Sequence, residues 1–366
     1  MSSIWGKNIK ISLFGESHGE AIGVVIDGLP AGLELDFDFI KGEMLRRAPG
    51  RSSISTPRRE EDEIKILSGL FNGRTTGTPL CCIIQNENKK STDYEKTKNI
   101  LRPGHADYTG FVKYRGFNDY RGGGHFSGRL TAPLVFVGAI AKTILKKKGI
   151  IIGAHIKSIK DIEDSSFDFC NIEEETLNAL KNKEFAVLDD EAGQKMKQAI
   201  LDAKENGDSL GGIIEAAVVN VEAGLGSPFF DSVESKLSQL LFSIPAVKGV
   251  EFGEGFNITK MTGSEANDEF IIDNGKIKTK KNNNGGILGG ITNGMPIVFR
   301  VAIKPTPSIL KEQDTVDISL MQNVKLKVEG RHDACIVPRA VPVVEAVAAI
   351  GILDLLIEKD GYLWMV

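Results

Sequence analysis

This sequence predicts a single α+β domain spanning residues 1–366, and three observations support that prediction. Strand-like runs are interspersed with helix-like ones, without the even strand-helix-strand spacing of a doubly wound parallel sheet. No short-period repeat and no proline-rich linker divides the 366 residues, a length that suits one large domain with a sizeable core. A balance of 41% hydrophobic and 26% charged residues is that of a globular chain and excludes disordered and fibrous ones.

The elements follow in order. Residues 9–14 and the alternating run 23–27 predict strands on either side of a glycine cluster that loops between them. Asp36 or Asp38 can cap a helix running to Arg47, with Phe39 or Ile40 and Met44 on one face, and Pro49-Gly50 stops it. Residues 64–70 and 80–85 read as further strands. Thr131 is the predicted cap of an apolar helix with Pro133 in its first turn; Lys146-Lys147-Lys148 closes it before Gly149, where cations suit the C-terminal dipole. The run 150–156 reads as a strand in which His155 is a satisfied core residue. Asp189 or Asp190 opens another helix that ends near Gly207, 213–221 alternates like a strand, and 231–242 has helical amphipathicity. The last element is an apolar helix over 342–357 with Pro342 in its first turn. The polar stretch 273–286, basic up to Lys281 and then Asn282-Asn283-Asn284, reads as a mobile surface loop, or as a lid over a site.

Charge and cysteine usage narrow the function. A net charge of −4 leaves no basic surplus for a nucleic-acid backbone or an anionic membrane. The longest apolar runs contain Lys142 and Glu345 and fall short of a spanning segment, so they read as buried helices. Residues 1–10 lack the pattern of a secretory signal. The four cysteines form no C-x-x-C pair, and adjacent Cys81 and Cys82 on a strand point to opposite faces. A cytoplasmic chain with reduced thiols, no metal site and small-molecule partners is the expectation.

Glycine marks where the chemistry sits. The 40 glycines cluster in 15–23, 122–128, 249–255 and 285–294, where backbone turns tightly or approaches a ligand. Of the 5 histidines, His18, His105, His125 and His332 fall in glycine- or arginine-bearing segments, which give an imidazole room to act as an acid or base. Arg46, Arg47, Arg51, Arg58, Arg59, Arg102, Arg121, Arg129 and Arg331 sit beside those segments, although the run from Arg58 to Asp62 also reads as a solvated face. Arginine reads carboxylate and phosphate bidentately, so the pattern points to a pocket for a compact polyanion. No phosphate-binding G-x-x-x-x-G-K-[ST] and no dinucleotide G-x-G-x-x-G occurs, and the two G-x-S-x-G matches, Gly15 to Gly19 between two strands and Gly207 to Gly211 between a helix and a strand, lack the strand-to-helix setting of a nucleophile elbow.

Six segments, in order, then resemble the signatures of the chorismate synthase family: Phe14-Gly15-Glu16-Ser17-His18-Gly19, Arg102-Pro103-Gly104-His105-Ala106-Asp107-Tyr108, Asp119-Tyr120-Arg121-Gly122-Gly123-Gly124, Ala246-Val247-Lys248-Gly249-Val250-Glu251, Gly285-Gly286-Ile287-Leu288-Gly289-Gly290 and Arg331-His332-Asp333. The resemblance covers nearly the whole chain. It implies conversion of 5-enolpyruvylshikimate 3-phosphate to chorismate by anti 1,4-elimination of phosphate and a ring proton, with reduced FMN and no net redox change. A substrate carrying a phosphate and two carboxylates is the kind of polyanion the arginines call for.

By the same resemblance, Arg47, Arg129 and Arg331 hold the anionic groups, with Arg46, Arg51 and His105 nearby. His18 protonates the departing phosphate, His105 acts near the flavin N1 and C2 carbonyl, and Asp333 with Ser17 and Ser127 relays the proton that reaches flavin N5. Flavin contacts are implied for His125, Phe126, Ser127, Ala246, Gly289, Lys304, Pro305, Thr306, Pro307, Ser308 and Arg331. The sequence departs from the family's common pattern at His125-Phe126, where many members carry Arg-Ser, and at Ser53, where a second arginine is frequent. The resemblance further implies β-α-β-α layers and a homotetramer, and the missing dinucleotide fingerprint calls for an external flavin reductase as electron source. The alternative function is a flavin-dependent oxidoreductase acting on a phosphorylated carboxylic acid.

Overall fold

Burial with a period of two builds the first sheet. Ile22, Val24 and Ile26 in Ala21–Asp27, and Leu80, Cys82 and Ile84 in Leu80–Gln85, are all buried, which sets one strand face on a core. The antiparallel order is Ile4–Trp5, Lys10–Gly15, Ala21–Asp27, Leu80–Gln85, Ile64–Ser68. Cys81 and Cys82 divide as expected between the faces, both are free, and burial pushes the Cys82 thiol up to about 12. The computed structural model describes residues 3–50, 54, 62–87, 92–95, 97–328, 330 and 332–366.

The helices Thr131–Lys146 and Val337–Asp360 pack on each other. Counted with the turn before the first helix, Gly128–Lys146 is long and apolar enough to cross a membrane, as is Val337–Asp360, yet 89% of one apolar stretch and 100% of the other is buried inside the protein. Gly138 lets them approach, because a Cβ there would lie 2.2 Å from the Ala346 Cβ. Two predicted helix starts shift. The last helix begins at Val337, with Pro338 in its first turn and Pro342 in its interior. Thr131 is already helical and Leu130 is the cap; the backbone is turning from Gly128 onward, and the Thr131 hydroxyl donates to the Gly128 carbonyl at 2.6 Å.

The second antiparallel sheet has the order Ile162–Glu163, Ile151–Ile159, Gly212–Val219, Ile297–Ile303, Val247–Phe252. The two apolar helices, with Phe37–Arg47 and Val233–Ser243, fill the layer between the sheets, and Glu174–Asn182 and Asp190–Glu205 pack against the second sheet. The result is a single α+β domain layered sheet, helices, sheet, helices. Ile151–Ile159 is buried on nearly every residue, which is why it reads as an unbroken apolar run rather than an alternating one.

An ionic cluster ties the inner helices together. Glu345, fully buried, accepts from Arg46 at 2.7 and 2.9 Å and from the Ala154 N–H at 3.2 Å, and Lys142 bridges it to Glu43. Burial disfavours the charge on Glu345, but Arg46 and Lys142 outweigh it and hold the carboxyl well below the usual range.

The 273–286 stretch is not the loop its polarity suggested. Phe270–Asp273 and Lys276–Thr279 form an antiparallel hairpin. The asparagines that follow are pinned: the Asn282 amide donates to the Phe169 and Pro296 carbonyls at 2.9 and 2.8 Å, and Asp268 accepts the Asn283 and Asn284 N–H groups at 2.8 and 3.0 Å. The lysines mark the hairpin's exposed surface, not an irregular backbone.

Candidate active site

Strand register decides which loops meet. Ala21 pairs with Gln85 and Ile64 with Ile84, so the turn 16–20, Asp62 and Asn86 emerge at one end of the first sheet. The turn Gly128–Leu130 brings Arg129 there, and the last turn of Phe37–Arg47 brings Arg47.

Both arginines are buried and share one carboxylate. Arg47 donates from Nε to Thr131 Oγ1 at 3.1 Å, from Nη1 to Asp62 Oδ2 at 2.8 Å and from Nη2 to the Gly128 carbonyl at 3.2 Å. Arg129 donates from Nη1 to the other Asp62 oxygen and from Nε to Asn86 Oδ1 at 3.1 Å. Asp62, at φ 50°, has a fully buried side chain. This corrects the solvated-face reading at the end of the Arg58–Asp62 run; 58–61 lie outside the described residues. Two guanidiniums converging on one carboxylate form a geometry suited to a carboxylate or phosphate ligand. Asn86 joins this pair to the first loop, its amide donating to the Glu16 and Gly19 carbonyls at 3.0 and 3.1 Å.

His18 and His105 meet through Gly122. His18 is buried, with Nδ1 3.1 Å from Ser17 Oγ and its ring edge-on to Tyr94 at 5.0 Å. Ser17 Oγ accepts the Gly123 N–H at 3.3 Å, which leaves the serine its own proton to give to the imidazole. Gly122, at φ 61°, lies close against that ring: a Cβ would come within 2.4 Å of Cε1. The Gly122 carbonyl accepts from Arg102 Nη2 at 2.6 Å, and the same nitrogen is 3.1 Å from His105 Nδ1. Asp107 Oδ1 lies 2.6 Å from that Nδ1. Burial of Asp107 opposes ionisation, but the hydrogen bonds with Arg102 and His105 outweigh it and hold its carboxyl well below the usual range.

The remaining candidates divide. Asp333 pairs with Arg339, whose Nε donates to the Arg47 carbonyl at 3.1 Å, so it joins the arginine end of the site. Ser127 Oγ accepts the Arg129 N–H at 3.2 Å. Lys304 Nζ donates to the Gly104 carbonyl at 2.6 Å and Pro307 lies against Gly104, which sets 304–308 beside the His105 loop. Ala246, at φ 75°, accepts the Lys304 N–H at 3.0 Å; Pro305 packs on Gly211 and Ser308 is buried. Gly289 turns the Ile287–Leu288 and Ile291–Thr292 hairpin, whose Gly290 carbonyl accepts the Val233 N–H at 3.0 Å. His125 uses Nδ1 on the Gly15 carbonyl at 2.8 Å and Nε2 on Ser3 Oγ at 2.9 Å, and Phe126 tilts against Tyr114 at 6.1 Å. Arg46 is the departure: Glu345 and Glu43 take up its guanidinium in the helical layer, away from Asp62. Arg51, Ser53 and Arg331 lie outside the described residues. Among the described residues, no group of His, Cys, Asp and Glu is arranged to hold a metal ion.

Sequence reasoning missed Asp62, Asn86 and Arg339 as parts of this site. Asp62 was hidden in a charged run, Asn86 is a lone amide after an apolar strand, and Arg339 is brought to Asp333 by the first turn of a helix expected to start later. Asp107 was legible as part of the Arg102–Asp107 segment, but its contact with His105 was not.

Comparison with known proteins adds the identity of the scaffold. The family model described as chorismate synthase matches residues 9–357. A chorismate synthase from Thermococcus gammatolerans is 49% identical over 357 residues, covering 98% of each chain, and one from Dehalococcoides mccartyi is 49% identical over 365 residues, covering 97% of this chain and 96% of the relative. A solved structure described as a crystal structure of chorismate synthase superposes with a TM-score of 0.77 at 33% identity, over 98% of this chain and 94% of that one. Family match, near full-length relatives and shared architecture agree with the motif reading, and the chain belongs to the chorismate synthase family, carbon–oxygen lyases that convert 5-enolpyruvylshikimate 3-phosphate to chorismate in the shikimate pathway.

Proposed function

We propose that the elimination runs at the junction of the 15–19, 102–107 and 122–129 segments, with reduced FMN as cofactor. The observation that carries this reading is the continuous chain of contacts from Arg47 through Asp62, Arg129 and Asn86 to the His18 loop, and through Gly122 and Arg102 to His105. That chain of contacts supports one site combining Arg47 and Arg129 with two imidazoles. Arg47 and Arg129, with Arg51 and Arg331, hold the substrate's phosphate and carboxylates, each an anion suited to a bidentate guanidinium.

His18 protonates the departing phosphate, which leaves far more readily as the protonated or ion-paired species. Asp333, with Ser17 and Ser127, holds and moves the ring proton. Lys304 to Ser308, next to the His105 loop, would hold the cofactor together with Ala246, Gly289, Ser127 and the His125-Phe126 pair. The Thr306 hydroxyl supports a polar ligand there, since it is buried without a hydrogen-bond partner among the described residues, a cost that a ligand's polar edge removes. When bound, reduced FMN supplies an electron-rich ring that assists phosphate departure with no net redox change. Phe229 and Phe230, 86% and 93% exposed, offer apolar surface in keeping with a homotetramer. The protein works in the cytoplasm with an external reductase supplying its reduced flavin.

The test is anaerobic turnover with a trace of chemically reduced FMN. Many equivalents of chorismate and phosphate per flavin, without matching donor oxidation, are expected. Stoichiometric donor consumption would favour the oxidoreductase instead, and rapid turnover with NADPH and oxidised FMN alone would reveal a built-in reductase site.

A further inference from the structure

Asp107 opens the short helix Asp107–Lys113, yet its carboxylate makes no capping bond to that helix. Both oxygens turn back onto the preceding loop. Oδ2 accepts from the Arg102 backbone N–H at 2.9 Å and from Arg102 Nε at 2.8 Å, while Oδ1 accepts from Arg102 Nη2 at 2.7 Å and faces His105 Nδ1 at 2.6 Å. An ionised carboxylate only accepts, so Nδ1 in this contact carries the proton. Arg102 Nη2, 3.1 Å from the same nitrogen, cannot donate into an N–H; its protons go to Asp107 and the Gly122 carbonyl. Neutral His105 is thereby left with its lone pair on Nε2.

The contrast with other imidazoles shows what this arrangement is for. His155 also touches carboxylates, Asp164 and Glu215, but it is fully buried with both nitrogens engaged, so it cannot exchange a proton with a ligand. His125 spends both nitrogens on Gly15 and Ser3. The His105 side chain keeps 17% of its surface exposed, and its carboxylate partner sits on one nitrogen only.

We propose that Asp107 is a positioning residue for the elimination: clamped by Arg102, it fixes His105 as the Nδ1–H tautomer and aims Nε2 at the bound ligand. The proposal rests on the reading of His105 as an active-site imidazole. Both Asp107 oxygens are spent on Arg102 and His105, so it acts through the ring it holds.

A double-mutant cycle on the full chain separates this role from a structural one. Anaerobic elimination with reduced FMN is measured for D107N, D107A, H105A and the double variant D107N/H105A, together with substrate Kd. Asp107→Asn and Asp107→Ala should lower the committed rate by at least about 10- to 100-fold, the size of effect seen when the partner that orients a metal-ligating imidazole is removed, with Kd unchanged within about 2-fold. On the His105→Ala background, Asp107→Asn should change the rate by less than about 2-fold, because a residue acting only through another is silent once that residue is gone. Full additivity, a loss confined to Kd, or wild-type rates in the Asp107 variants would overturn the proposal. Wild-type turnover in H105A alone would instead remove the reading of His105, and the proposal with it. A second readout needs no substitution at Asp107: in the wild-type protein with 15N-labelled histidine, His105, assigned by its disappearance in H105A, should show the Nδ1–H tautomer when neutral. The Nε2–H form would contradict the proposal even if the Asp107 variants fail to fold.

Discussion

Arg46 and Arg47 are neighbours in sequence and, by resemblance, both belong with the substrate, but the structure gives them different work. Substituting Arg46 by alanine should therefore destabilise the fold and leave substrate affinity alone. The magnitude follows from the ionic cluster. Alanine removes two charge-assisted hydrogen bonds to Glu345, at 2.7 and 2.9 Å, and two to Glu43, at 3.0 and 3.2 Å. Breaking a buried pair costs about 3–5 kcal/mol because a charge is left uncompensated. Lys142 still meets both carboxylates, which places the cost at the lower end, about 3 kcal/mol. Unfolding entropy of ~2.1 cal/mol/K per residue makes that a fall in Tm of roughly 4 °C for a chain of this length. Thermal unfolding followed by circular dichroism gives the first quantity, and calorimetric titration of folded R46A with substrate gives the second, expected within about 3-fold of wild type. An unchanged Tm with Kd weakened by ~30-fold or more would refute the assignment and return Arg46 to the anion site.

Other perturbations test other parts. Arg47→Ala and Arg129→Ala should each weaken substrate binding by about 2–5 kcal/mol, and lysine should not restore it, because an ammonium lacks the fork that holds a carboxylate or phosphate; Kd values within a few-fold of wild type for both alanine variants would place the polyanion elsewhere. Gly122→Ala would drive a methyl to 2.4 Å from His18 Cε1, and displacing that ring should lower turnover by about 100-fold; unchanged turnover would mean that the position of His18 is not critical. Burial works against a charge on His155, but Asp164 and Glu215 outweigh it and raise its pKa above the ordinary value of 6.5. Its stabilising contribution is therefore complete below that value and lost as pH rises through the raised one. Denaturant unfolding should show the stability advantage of wild type over His155→Gln shrinking on the alkaline side, and a growing advantage would reverse the assignment.

What was legible in the sequence was what local pattern encodes. Asp36 does cap Phe37–Arg47, its carboxylate accepting the Phe39 N–H at 2.9 Å, and the alternating and unbroken apolar runs became strands with one covered face or two. His155 is the satisfied strand residue its apolar surroundings suggested, and the glycines around His18 mark a true close approach. Less legible was anything set by the direction of a side chain. Successive helix residues point ~100° apart, so Arg46 enters the helical layer while Arg47 reaches Asp62. The burial of Asp62 depends on strand register across the first sheet, which a charged run does not reveal. Lysines at 276–281 signalled exposure, and exposure was mistaken for a loop. Pro342 suggested a helix start because proline suits a first turn, yet the turn it would have opened is preceded by residues that already fold as helix.

The most direct test of the central claim, that His18 and His105 serve one site lined by Arg47 and Arg129, is a single-turnover measurement. Wild type, H18A and H105A are mixed anaerobically with reduced FMN and 5-enolpyruvylshikimate 3-phosphate, and chorismate formation is followed in a stopped-flow instrument with substrate Kd measured alongside. Each variant should lose about 2 to 3 orders of magnitude in the committed rate, the contribution of a placed acid or base, while the arginines keep Kd within a few-fold of wild type. Wild-type single-turnover rates in either variant would contradict the claim.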